Sequence, residues 1–110
     1  MIEGIVIGYL SDALSVPVSG EITDKHPKQV TVSRGGSTED DHIETAMIVI
    51  DSYANTMLQA AELNDSVKKA MKRIVELDSI SACYLVTDYM HTHTAGKRYR
   101  YQAVFNITYF

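Results

Sequence analysis

The feature that most constrains this chain is the alternation between Arg98 and Phe110. Tyr99, Tyr101, Ala103, Phe105, Ile107 and Tyr109 fall on one side of an extended backbone. Arg98, Arg100, Gln102, Asn106 and Thr108 fall on the other, with only Val104 and Phe110 out of pattern. A period of two belongs to a strand with one buried face. A strand cannot stand alone, because its backbone N–H and C=O groups need partners, so the segment 98–109 calls for a sheet.

The remaining segments supply that sheet and its cover. Met57, Ala60, Leu63, Val67, Ala70, Ile74 and Leu77 recur by threes and fours, which predicts a helix over about 55–77 with one apolar stripe. Asn55 or Thr56 can cap its start, and Lys68, Lys69, Lys72 and Arg73 complement the dipole near its end. Ile2, Ile5, Val6, Tyr9, Leu10 and Ala13 predict a shorter helix over 2–14. Val16-Pro17-Val18 reads as an edge strand over about 16–22, since proline cannot donate to a central ladder. The polar turn at Thr23–Lys28 then leads into a half-buried strand over 29–34, and the two strands are expected to pair as a hairpin. Gly35-Gly36-Ser37-Thr38-Glu39-Asp40-Asp41 reads as a flexible acidic loop over 35–41. Ala46, Ile48 and Ile50 alternate with Met47 and Val49 in a strand over 42–53 that suits the middle of a sheet, and another strand is expected over 80–90. The order of elements predicts a single α+β domain over 1–110, a mostly antiparallel β-sheet of about five strands with two helices packed on one side.

Composition removes several classes of function. With 110 residues and a net charge of −4, the chain has no Lys/Arg block of the kind that neutralises phosphates, which argues against a sequence-specific nucleic-acid binder. No apolar run approaches the roughly 18 residues that a membrane span requires, so no membrane partner is expected. Glu3 stands where a signal peptide would carry basic residues, so no export signal is expected. Cys83 is the single cysteine, which excludes an intrachain disulfide and a thiolate zinc cluster, and its strand-like surroundings suit a buried, inert thiol.

Catalytic motifs are absent. His91 and His93 would share one face of a strand, yet a third metal ligand is missing unless Asp88 curls round the same loop. No Gly-x-Ser-x-Gly elbow occurs. Gly35-Gly36 resembles a phosphate nest in composition only, because Glu39-Asp40-Asp41 would repel an anion. The expectation is therefore no catalytic residue, no metal and no cofactor, with function carried by surfaces.

Several stretches together resemble the tail terminator, or tail completion, proteins of long-tailed bacteriophages. They are Val16-Pro17-Val18-Ser19, the run Gln29-Val30-Thr31-Val32-Ser33-Arg34-Gly35-Gly36 after Pro27, Asp51-Ser52-Tyr53-Ala54, Ala60-Ala61-Glu62-Leu63, and Thr94-Ala95-Gly96-Lys97-Arg98-Tyr99 opening the last strand. The resemblance covers nearly the whole chain. It implies a structural virion protein with no enzymatic activity, placed at the head-proximal end of the tail. There such proteins form a homohexameric ring on the tail tube, end its polymerisation and offer the surface that joins tail to head. The implied partners are other copies of the chain, the tail tube protein, a head-completion or connector protein, and DNA passing through the channel without sequence-specific binding. Two alternatives stand beside it: another head-to-tail connector, and a small metal- or ligand-binding domain.

A domain of this size approximated as a sphere is about 34 Å across, and six in a ring leave a hole about as wide. Sixfold closure needs a heterologous contact between two different surfaces. Candidates for the subunit or tube interface are Val16 and Val18 on the edge strand, Arg34, Gly35, Gly36, Glu39, Asp40 and Asp41, and Arg98 and Arg100, whose charges are expected to pair with acids across subunits. Glu39, Asp40 and Asp41 are also candidates for lining the channel.

Overall fold

A computed structural model describes residues 1–23, 25–40, 43–91 and 98–110, with the backbone alone at 38–40 and 91. Helix α1 spans Ile2–Ala13 and buries Ile2, Val6 and Leu10, which recur every four residues and so form one stripe. Helix α2 spans Met57–Met71 and is capped by Thr56, whose hydroxyl accepts from the Gln59 N–H at 3.1 Å. The helical pattern that runs on to Leu77 is carried by a separate 3₁₀ turn, Ile74–Glu76. This short turn buries Ile74 and re-aims the chain into the next strand, so the predicted single helix over 55–77 is two pieces. Tyr9 donates its hydroxyl to the Ala70 carbonyl at 2.7 Å, tying the end of α2 to α1.

Five strands form one mixed sheet in the order β1-β2-β3-β5-β4: β1 Val18–Ser19, β2 Gln29–Asp40, β3 Ile43–Ala54, β4 Ile80–His91 and β5 Tyr99–Tyr109. The fold is thus α+β, with β3 in the middle and β5 inserted between β3 and β4. Both helices pack on one face of the sheet. Arg34 on that face meets Glu3 of α1, and Asp88 on that face meets Lys68 of α2. The core lies between these layers, built from Val30, Ile48, Ile50, Val67, Phe105 and Ile107 with the helix stripes.

Two expectations need correction. Segments 16–22 and 29–34 do not form a hairpin: β1 has two residues and pairs parallel to β2, with Val18 level with Val30. Buried Gln29 holds parts of the connection between them: it donates its side-chain amide to the Thr23 and His26 carbonyls and accepts from the Thr23 N–H at 3.0 Å. The second correction concerns the acidic loop. Residues 35–40 continue β2 in register with β3 as far as Asp40 opposite Ile43, while Asp41 lies outside the described residues. Two glycines do not end the strand here, because the ladder absorbs one extra residue as a bulge between Arg34 and Gly36. A Cβ at Gly35 would lie 3.4 Å from the Met47 sulfur, in contact with that side chain. Nor is the chain spherical. Its extents are 44 × 24 × 20 Å, as strands of this length dictate.

Candidate functional site

The ladders fix which residues share the face that carries no helix, and they fall into rows across the sheet. One row is Gln29, Tyr53 and Arg100; the next is Thr31, Asp51, Gln102 and Tyr89; then Ser33, Val49, Val104 and Thr87; then Gly36, Met47, Asn106 and Tyr84. These rows divide the face into two chemically different halves.

The half towards Arg98 is polar and closed. Tyr89 donates its hydroxyl to Gln102 Oε1 at 2.6 Å, and Gln102 Nε2 donates to Asp51 Oδ1 at 3.1 Å. Arg100 Nε stands 3.9 Å from the same carboxylate oxygen. Asp51 is only 8% exposed, so its charge is sustained by these neighbours and not by water. Arg98 is also buried. It donates from Nη1 to the Thr23 and His26 carbonyls at 3.1 and 3.2 Å, and its guanidinium lies over the Tyr53 ring, 5.9 Å from the centroid.

The other half is open and uncharged. Met47 and Tyr84 are both exposed, Tyr84 to 70%, and both edges of the sheet become accessible at this level. Ser33 to Ser37 of β2 are all exposed, as are Tyr84 to Thr87 of β4, and exposure of consecutive residues on both faces marks an unpaired strand edge. β4 carries the larger hydrophobic load there, with Tyr84, Leu85 and Val86 all exposed. Bulges interrupt it between Ile80 and Ala82 and between Leu85 and Thr87.

Two grooves lie on the helical side. A cleft of about 800 Å³ runs between α1 and α2, bounded by Tyr9, Leu14, Val16, Glu62, Lys69 and Arg73. A smaller groove of about 340 Å³ beside the β4 edge is walled by Met71, Cys83, Leu85 and Phe105 and rimmed by Lys68 and Lys72. Burial pushes the Cys83 thiol up to about 11, so it stays protonated near neutrality. Asp88 accepts from Lys68 Nζ at 2.9 Å and from Asn64 Nδ2 at 3.0 Å. The hydrogen bond from Lys68 holds the Asp88 carboxyl below the usual carboxylate range and raises Lys68 in turn.

The residues singled out from the sequence are scattered over these features. Val16 and Val18 are partly buried against the core, and Val18 lies in β1. Arg34, Gly35 and Gly36 sit together on the open β2 edge, and Arg34 Nε is 3.6 Å from Glu3 Oε2. Glu39 and Asp40 continue that strand. Arg98 donates to the Thr23 and His26 carbonyls inside the chain, and Arg100 lies beside Asp51. His93 lies outside the described residues, as does the side chain of His91; among the described residues no three His, Cys, Asp or Glu side chains cluster as metal ligands. Missed from the sequence was the β4 edge. Its one signal is the run Cys83-Tyr84-Leu85-Val86, apolar on both faces where a half-covered strand would alternate.

No protein-family model matches the chain, and no curated protein sequence matches it. Among solved structures, a chain from the virion of a native gene transfer agent particle aligns with a TM-score of 0.44 and 11% sequence identity, over 94% of this chain and 83% of that one. Among the described residues no helix is long and apolar enough to cross a membrane.

Proposed function

We infer that the chain is a structural virion protein of a phage-like particle that works by contact between copies of itself and neighbouring proteins, without catalysis. The finer reading is a tail terminator: a hexameric ring that caps the tail tube, ends its growth and presents a surface to a head-completion protein, with DNA passing through its channel. The observation that carries this reading is a sheet with one helix-free face and accessible strand edges on both sides, β4 bearing Tyr84, Leu85, Val86 and Tyr89 in solvent. Solitary domains seldom leave such an edge uncovered, because it templates association. The sequence pattern described above supports the tail-end position. The acidic run Glu39-Asp40-Asp41 suits a channel or tube-facing role, where negative charge keeps DNA from adhering.

The test is electron microscopy of negatively stained tails assembled with and without this chain. Tubes of uncontrolled length in its absence, restored to uniform length by the purified protein, are the expected result. Tails of normal length and normal head attachment without it overturn the reading.

A further inference from the structure

Beyond the Val30–Thr31 stretch that β1 covers, β2 is an open edge, as is β4 across the sheet, and we propose that copies of this chain join edge to edge, this part of β2 pairing antiparallel with residues 80–87 of β4 in the next copy, with Tyr84 seated over Gly36. This rests on the subunit reading above and adds the contact that would build the assembly.

Strand direction is the first support. β2 runs antiparallel to β3, β3 to β5 and β5 to β4, so β2 and β4 point in opposite directions at the two sides of the sheet. Copies set side by side in the same orientation therefore bring β4 against β2 as an antiparallel pair, and the sheet continues across the boundary.

Level is the second support. Gly36 pairs with Met47, Met47 with Asn106, and Asn106 with Tyr84, so Gly36 and Tyr84 occupy one row and one face at opposite edges. Side-by-side placement without slip puts them together. Their shapes are matched: Tyr84 projects into solvent, while a side chain atom added at Gly36 would meet nothing within 4 Å. An aromatic ring covering a neighbouring glycine is a known way to fill such a gap.

The two edges also differ in chemistry: β4 exposes Tyr84, Leu85 and Val86, whereas β2 exposes Ser33 to Ser37, with two glycines among them. The contact is heterologous, so it propagates until rotation closes a ring.

The experiment is disulfide trapping in the full chain with Cys83→Ser as background, using Gly36→Cys and Tyr84→Cys. The double variant, oxidised at a concentration where native mass spectrometry shows oligomers, is expected to give a ladder of linked dimers, trimers and higher species on non-reducing gels. An equimolar mixture of the two single variants is expected to stop at dimers, and neither single variant alone is expected to link. Leu85→Lys, on an exposed edge position, is expected to abolish the oligomers while leaving the circular dichroism spectrum unchanged. A dimer from Tyr84→Cys alone, oligomers without a ladder, oligomers that survive Leu85→Lys, or a chain that stays monomeric would each overturn the edge pairing. The first three leave the subunit reading standing, and that reading falls separately if tails finish normally without the chain.

Discussion

Arg98 and Gln29 donate to the same two acceptors, the carbonyls of Thr23 and His26. One comes from the start of β2 and the other from just before β5, so a segment that doubles back between β1 and β2 is pinned by residues far apart in sequence. Replacing Arg98 by Ala removes a buried cation and one of the two donors at each carbonyl. A loss of about 2–4 kcal/mol in unfolding free energy, read from urea midpoints, is expected. Gln29→Met, similar in length but without the amide, is expected to cost about 1–3 kcal/mol in the same measurement.

Asp51 anchors the polar row that runs through Gln102 to Tyr89. Asp51→Ala leaves the Gln102 amide and the Arg100 guanidinium facing a cavity, and a loss of about 3 kcal/mol is expected by thermal or denaturant melting. Asp51→Asn keeps an acceptor for Gln102 and loses only the charge, so it is expected to fall between the wild type and Asp51→Ala.

The pair Asp88 and Lys68 gives stability a defined dependence on pH. Asp88 is depressed in the fold, so its contribution is whole above the ordinary carboxylate range near 4 and is lost as pH falls through its lower folded value. Lys68 is raised, so its contribution is whole below the ordinary lysine value and is lost as pH rises through the higher folded one. Both side chains keep over a quarter of their surface in water, which limits the effect to about 0.5–1 kcal/mol. Asp88→Asn is expected to flatten the acid limb of a plot of melting temperature against pH between about 2 and 5.

Cys83 is expected to react slowly. With its thiol near 11, about one molecule in a thousand is ionised at pH 8, so labelling by a disulfide reagent should be far slower in the native chain than in urea. Equal rates in the two conditions would contradict the burial of this thiol.

Gly36 faces open space and Gly35 does not. Gly36→Ala is expected to leave stability unchanged or raise it by up to about 1 kcal/mol through loss of freedom in the unfolded chain, as denaturant titration will show. A branched residue at Gly35 is expected to be destabilising, since Met47 and Val49 already occupy its surroundings.

What could be read in advance was what depends on local period. The alternation from Tyr99 to Tyr109, the stripe from Met57 to Met71 and the apolar positions Ala46, Ile48 and Ile50 all report their own secondary structure, because a buried face imposes its spacing on the residues that form it. Gly35-Gly36 misled because two glycines before three acids usually interrupt a strand, whereas here the ladder with β3 continues through a bulge that only the partner strand reveals. Pro17 and the polar segment after it suggested a hairpin, and the parallel course of β1 depends on Gln29 and Arg98 gripping the intervening chain, a long-range effect. The candidate surface was the least legible part. Whether Tyr84 to Val86 lie inside or at the rim is decided by strand order, which no local pattern encodes.

The strand order also governs how the chain can be made. β3 and β4 share no ladder with one another, and each must wait for β5 to come between them. On a ribosome, the hairpin of β2 and β3 can form early, but β4 emerges with neither of its long sides matched. Until β5 has been synthesised, the apolar run at Cys83–Val86 is open to any chaperone or sister polypeptide nearby, so slowing translation between β4 and β5 should lower the yield of properly folded product.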